Sequence, residues 1–100
     1  MNYITVVRGK LKGASQKDAQ MAHDATVERL SAMTRPMGAL HHKAHLNPQN
    51  SMEFLAVDTW SNIEGLQKFM SDQQVAEAFG KLFEGAPDVS VWAESDWAAF

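Results

Sequence analysis

Three of the four histidines lie within five residues, His41, His42 and His45, in a segment that reads as a strand. On a strand, His41 and His45 share one face with Lys43, and His42 takes the other. Lys43 occupies the position that a three-histidine chelate would need, and His41 and His45 are then about 13 Å apart, too far to share an ion. We therefore predict no metal site. His42, among apolar neighbours, is the better candidate for acid–base chemistry.

Asp58 is the second residue that could do chemistry. It is predicted to share a strand face with apolar residues that include Trp60, and a carboxylate in such surroundings needs a partner. We name His42 and Asp58 as candidate catalytic residues, with either one acting as a general base. The alternative is a structural ion pair between Asp58 and Arg8 or Lys43 on a neighbouring strand.

Five further side chains are candidates for contact with a ligand. Trp60 and Trp92 could stack on a flat molecule, although tryptophans at strand ends are often core. His23 borders the inner stripe of the first helix, where a surface position is the alternative. Tyr3 offers a polar tip at the end of the sheet. The candidates are Tyr3, His23, Trp60, Phe79 and Trp92.

Composition narrows the classes of function. One hundred residues predict a single domain, residues 1–100. The formal net charge of -3 gives no reason to expect a nucleic acid or an anionic membrane as partner. No apolar run approaches the roughly 20 residues that span a bilayer, and the N-terminus reads as a strand rather than a signal peptide. No cysteine, phosphate-binding loop or dinucleotide fingerprint is present. We expect a cytoplasmic protein without a bound nucleotide.

The elements that must position these residues follow the order β-α-β-β-α-β. Alternation and three-to-four spacing predict strands at Tyr3–Arg8, Met37–Leu46, Met52–Trp60 and Asp88–Ala93, with helices at about 15–35 and 61–83. This order predicts an α+β ferredoxin-like fold, with a four-stranded antiparallel sheet and both helices on one face.

Local signals predict where the helices start and stop. Ser15 is the expected N-cap of the first helix. Ser61 begins a capping box for the second, and a further cap signal predicts a break near Ser71. Gly85 is expected to end that helix, since Pro87 prevents its continuation.

The third strand is apolar on both faces, and helices can cover only one of them. The uncovered face would be an unusually large apolar patch for a monomer. We therefore predict a homodimer that packs sheet against sheet, with Trp97 and Phe100 of the apolar tail helping to join the subunits. A monomer with some exposed apolar residues is the alternative.

The segment Val57 to Phe79, VDTWSNIEGLQKFMSDQQVAEAF, resembles the dimeric α/β-barrel superfamily, and within it the antibiotic-biosynthesis-monooxygenase-like domains. The shared pattern is a strand ending in an acidic or aromatic residue, a helix with spaced apolar positions, a break and a second helical segment. Trp60 occupies a tryptophan position of the haem-degrading branch. That branch also has an asparagine on the first strand and a histidine in the second helix. This chain has no asparagine after Asn2 on that strand and no histidine between Val75 and Phe83, so haem degradation is not expected.

The resemblance implies a monooxygenase-like protein that acts on a small, flat, apolar molecule, phenolic or quinol-like. It also implies a pocket between helices and sheet, and no metal or flavin. The main alternative is a non-catalytic protein that binds hydrophobic ligands or responds to stress on the same fold. A third possibility is an isomerase that uses the pocket for proton transfer alone.

Overall fold

A computed structural model describes all residues, Met1 to Phe100. The elements are β1 (Tyr3–Leu11), α1 (Gln16–Thr34), β2 (Ala39–Asn47), β3 (Asn50–Trp60), α2 (Ile63–Ser71), α3 (Gln73–Leu82) and β4 (Phe83–Ala93). The order confirms the predicted α+β ferredoxin-like arrangement, with the second helix divided in two at the predicted break. None of the helices is both long and apolar enough to cross a membrane.

The four strands form one antiparallel sheet in the order β2-β3-β1-β4. The register sets Asp58 of β3 opposite Thr5 of β1 on one side and opposite His42 of β2 on the other. Because residues directly opposite in an antiparallel pair point to the same face, these three polar side chains lie side by side across the middle of the sheet.

Side-chain caps start each helix. Ser15 caps α1 as predicted, since its hydroxyl accepts from the backbone N–H of Asp18. The caps of the next two helices lie one residue later than predicted: Asn62 rather than Ser61 for α2, and Asp72 rather than Ser71 for α3. In both cases an amide or carboxylate oxygen accepts from the first turn, as favoured N-cap residues do.

The predicted helix stop at Gly85 is wrong. Helix α3 ends at Leu82, and the chain enters β4 at Phe83, which pairs with Leu11. Gly85 lies inside the strand with φ near 70°, where the pairing of β1 with β4 shifts register opposite Gly9. Pro87 is tolerated in β4 because an edge strand need not donate every backbone hydrogen bond.

All helices cover the same face of the sheet. On that face two clusters of buried side chains form the core, one around Phe54 and Phe83 and the other around Trp60, Leu66 and Phe69. The opposite face carries no helix, and we call it the open face. Its apolar residues are half-buried or exposed in the single chain: Ile4, Val6, Leu55, Val57 and Trp92.

Candidate functional site

A polar row crosses the helix-covered face of the sheet. Thr5 Oγ1 donates to Asp58 Oδ2 at 3.1 Å, and His42 Nδ1 lies 2.5 Å from Asp58 Oδ1. Thr5 is 0% exposed and Asp58 is 8% exposed. The buried carboxylate therefore has a partner on each oxygen, which offsets the cost of removing its charge from water.

The row continues onto α1. His42 Nε2 lies 2.9 Å from His23 Nε2, and His23 Nδ1 lies 2.9 Å from Asp24 Oδ1. The result is an unbroken chain of contacts, Thr5–Asp58–His42–His23–Asp24, which we call the polar chain. It begins in the core and ends at a carboxylate whose side chain is 62% exposed.

The partners predicted for Asp58 are wrong. Arg8 lies on the open face and pairs with Glu53. Lys43 pairs in register with Val57, which puts both on the open face. The alternation of residues in the sequence places His42 and Asp58 among apolar residues separately, and only the strand register brings the two together.

The two imidazole rings meet edge to edge. Their centres are 5.1 Å apart, with planes inclined by 27°, while the Nε2 atoms are only 2.9 Å apart. The distance between centres is close to the Nε2–Nε2 distance plus two ring radii, so both nitrogens lie near the line that joins the centres. This is the arrangement of a nearly straight hydrogen bond. Phe54 holds the His23 ring from the side, with centres 5.5 Å apart.

An apolar cavity of about 220 Å³ lies between α1 and the sheet beside this row. Twelve of its 20 lining residues are hydrophobic, and His23, His42 and Asp58 are among the rest. The aromatic and aliphatic wall includes Leu30, Phe54, Trp60, Phe69, Phe79 and Phe83. Its volume is below the roughly 300–1,000 Å³ of typical ligand pockets, which suits a small molecule.

Trp60 contributes an unused hydrogen-bond donor to this region. The residue is 1% exposed, and its Nε1 is the one buried side-chain nitrogen or oxygen without a hydrogen-bond partner. A buried indole N–H normally has a partner, so this donor is available to an acceptor that enters the cavity.

A second, more polar groove of about 410 Å³ lies on the other side of the histidine pair. Gln16, Gln20, Asp24 and Lys43 are among its lining residues. His23 and His42 line both spaces. The pair therefore stands between an apolar cavity and a polar groove.

The structure brings five of the seven candidate residues together around the apolar cavity: His23, His42, Asp58, Trp60 and Phe79. Trp92 does not join them. It pairs with Ile4 on the open face, where it is 60% exposed. Tyr3 packs beside the Trp60 cluster but does not line the cavity.

Sequence reasoning missed Thr5 and Asp24. Thr5 lies in the apolar run of β1, and only its register with Asp58 reveals its role. Asp24 follows His23 directly, so the adjacent pair was a visible signal. No group of three or more histidine, cysteine, aspartate or glutamate side chains is arranged to hold a metal ion.

Chemically, the arrangement orients an imidazole beside an apolar space. A carboxylate on Nδ1 fixes the tautomer and the ring of His42, and it stabilises the imidazolium that forms when Nε2 takes a proton. Such a pair can move a proton to and from a small apolar ligand.

No family model and no curated protein matches the sequence. Solved structures do match, and they have the ferredoxin-like fold of antibiotic-biosynthesis-monooxygenase-like proteins, so the resemblance expected from the sequence is confirmed at the level of the fold. One is SnoaB, a cofactor-independent oxygenase from Streptomyces nogalater, with a TM-score of 0.72, 11% identity and coverage of 96% of this chain and 95% of that chain.

Two further structures are similar over nearly the whole chain. Rv0793 from Mycobacterium tuberculosis has a TM-score of 0.66 and 16% identity, covering 99% of this chain and 100% of the other. An antibiotic biosynthesis monooxygenase has a TM-score of 0.68 and 11% identity, covering 95% and 99%. At these identities the likeness establishes the fold and leaves the reaction to the residues of the site.

Proposed function

We propose that this protein is a monooxygenase-like enzyme that acts, without metal or flavin, on a small, flat, apolar molecule of the phenol or quinol class. One observation carries the proposal: His42 is oriented by the buried Asp58 on the wall of an apolar cavity. The likeness in fold to a cofactor-independent oxygenase supports the same reading.

The proposed reaction begins with removal of a phenolic proton. His42 Nε2 accepts the proton, and Asp58 stabilises the resulting imidazolium. The electron-rich carbon of the substrate anion then reacts with dioxygen, the substrate itself supplying the electrons. Trp60 Nε1–H, which has no partner within the protein, donates to the substrate oxygen and stabilises its negative charge.

Oxygen consumption with a panel of hydroquinones and anthrones tests this proposal. Once a turned-over substrate is found, His42→Ala and Asp58→Asn are each expected to lower kcat by about 10²–10⁴, the usual contribution of general acid–base catalysis. His45→Gln serves as the control, because His45 is exposed and lines neither space. Rates that stay unchanged in both site variants would contradict the assignment.

A second candidate is a protein that binds a hydrophobic ligand, or responds to stress, without catalysis. It is favoured by the contacts of His42: its Nε2 contacts His23 and its Nδ1 contacts Asp58, so neither nitrogen is free in this structure. A ligand that quenches Trp60 fluorescence without oxygen consumption would support this candidate. Isomerisation of the ligand in the absence of oxygen would instead support proton transfer alone.

We further propose that the open face joins two copies of the chain. Support comes from its apolar residues, including Leu55 and Val57 on β3 and Trp92 on β4, which no helix covers. A face of this kind is typical of an interface. Sedimentation at micromolar concentration should give a dimer, and Val57→Lys should give a monomer. A wild-type monomer would overturn this part of the proposal.

A further inference from the structure

The contacts of the polar chain can all be hydrogen bonds at only one proton count of the histidine pair. An ionised carboxylate only accepts, so Nδ1 of His42 and Nδ1 of His23 must each carry a hydrogen toward Asp58 and Asp24. The straight contact between the two Nε2 atoms needs one hydrogen more. Three hydrogens thus occupy four nitrogens. Two neutral rings carry only two, so all of these contacts are hydrogen bonds only when the pair holds one extra proton, and with it one positive charge, between two carboxylates.

The extra proton can sit on either ring. With the hydrogen on His23 Nε2, His42 is neutral and His23 is the cation; a short transfer along the 2.9 Å line reverses this. Both forms keep all four hydrogen bonds. The two rings therefore share one proton as a unit, and neither ring can be treated as an isolated base.

The position of the pair gives this transfer a direction. His42 takes its orientation from a carboxylate in the core, whereas His23 contacts a carboxylate exposed to solvent. The two rings also line both the apolar cavity and the polar groove. A proton that moves from His42 to His23 has thus moved from the side of the buried carboxylate to the side of the exposed one.

We propose that His23 is the proton outlet of the site, taking the proton from His42 Nε2 and releasing it to the polar groove at Asp24. The proposed proton route rests on the proposed function, because it needs His42 as the catalytic base. The sharing of one proton by the two histidines does not depend on that function. His23 acts through His42, so it is a positioning residue for the reaction.

The proton balance of one cycle is simple. His23 first moves aside as a cation paired with Asp24, which leaves His42 Nε2 with a free lone pair facing the ligand. His42 then takes one proton from the ligand and becomes the cation. His23 loses its Nε2 proton to water in the polar groove while its Nδ1–H stays paired with Asp24. It then returns with its Nε2 unprotonated and takes the proton from His42 Nε2. The ligand has lost one proton, the solvent has gained one, and the pair again holds one.

Other charged groups near the pair are few. Lys43 lines the polar groove, and Arg35 and His41 line the apolar cavity. The residues that α2 and α3 add to the cavity wall, Phe69, Phe79 and Leu82, carry no charge. Asp24 and Asp58 are thus the only anionic side chains lining either space, and both contact the pair.

Nuclear magnetic resonance of the imidazole nitrogens tests the shared proton in the ligand-free protein. His23 and His42 should lose one proton together, in a single step that appears in the nitrogen chemical shifts of both rings. His23→Gln should change the titration curve of His42, and Asp24→Asn should make the pair lose its proton at lower pH because an anion is gone. His45→Gln should change neither curve. Independent titration of the two rings, unaffected by either variant, would overturn the proposal.

Chemical rescue tests the outlet during turnover. His23→Gln should lower kcat at least about tenfold while KM changes little, and added imidazole should restore the rate by accepting the proton in place of His23. Asp24→Asn gives a second variant should the first not fold. A rate lost without rescue would contradict the outlet. If no substrate is turned over by the wild type, the proposed function fails, while the magnetic resonance result stands or falls by itself.

Discussion

Helix α1 and the pair α2–α3 lie over the same face of the sheet and contain equal numbers of residues, but they pack differently. We call these two parts of the helical cover the α1 layer and the α2–α3 layer. Helix α1 has 19 residues and buries three of them, Ala19, Leu30 and Thr34. Helices α2 and α3, with nine and ten residues, bury six: Gly65, Leu66, Phe69, Val75, Ala78 and Leu82. The α2–α3 layer therefore fills the core, while α1 lies over a cavity.

The difference follows from what each helix turns toward the sheet. The inner side of α2–α3 is apolar and interlocks with Trp60 and its neighbours. The inner side of α1 offers His23, Thr26 and Ser31, which line the cavity. Polar inner positions give up burial that would stabilise the fold, and here that loss coincides with the polar chain. The weakly amphipathic helix α1, beside the strongly amphipathic pair α2–α3, is therefore the one that lies over the candidate site.

Gly65→Ala is expected to have the largest effect, because it tests the tight layer at its closest contact. A Cβ at Gly65 would overlap the backbone oxygen of Met37, which lies in the connection between α1 and β2, so α2 would have to move away from that connection. We expect a loss of about 3 kcal/mol or more in the free energy of unfolding. Urea unfolding measures it.

Gly80→Ala is the matched control for this prediction. A Cβ at Gly80 in α3 meets nothing within 4 Å, so the substitution should stabilise the protein by about 0.5–1 kcal/mol through helix propensity. Equal effects of the two substitutions would show that the α2–α3 layer is not packed as tightly as the contacts indicate.

The same contrast explains how much the sequence could predict. In α2–α3 the apolar spacing predicts burial of Leu66, Phe69, Val75 and Leu82, and the structure buries all four. The same spacing also predicts burial of Met70 and Ala76, and both predictions are wrong because both residues are exposed, while Ala78 is buried. A small residue such as Ala76 carries too little apolar area to mark a face.

In α1 the weaker stripe gave a poorer prediction. The spacing in α1 predicts an inner stripe that includes Ala19, Ala22 and Leu30. Ala19 and Leu30 are buried, but Ala22 is exposed and His23 turns inward beside it. The contact of His23 with His42 depends on how α1 docks on the sheet, and no local pattern encodes that angle. The strand faces of His42 and Asp58 were predictable from alternation, whereas their pairing needed the register between β2 and β3.

The second prediction compares one apolar side chain from each layer, Leu66 of α2, which is buried, and Val27 of α1, which is half-buried. Leu66→Ala in α2 removes a side chain that is fully buried against Trp60 and should cost about 3–4 kcal/mol. Val27→Ala in α1 removes methyl groups that already border a cavity and should cost only about 1 kcal/mol. Thermal and urea unfolding of the two variants measure the difference.

Ligand binding sharpens that comparison. Val27→Ala enlarges the apolar cavity, so it should shift the preference of the protein toward slightly larger ligands, whereas Leu66→Ala should not. A cost at Val27 as large as that at Leu66 would mean that α1 is packed as closely as α2, contrary to the cavity beneath it.

The smallest effect is expected where neither helical layer reaches, at Glu53 on the open face. Hydrogen bonds from Arg8 and Asn47, together with the charge of Arg8, hold the pKa of Glu53 below its ordinary value of 4.5. Because the folded pKa is depressed, the stabilisation is present above the pKa of the unfolded chain and is lost as the pH falls through the folded pKa. Glu53→Gln should therefore be slightly less stable than the wild type at about pH 7 and equally stable at about pH 3.

Urea unfolding of both proteins at one protein concentration measures this difference in stability. Glu84→Gln, at the looser pair with Lys10, is the control. A gap that persists in acid would assign the loss to packing of the side chain rather than to its charge.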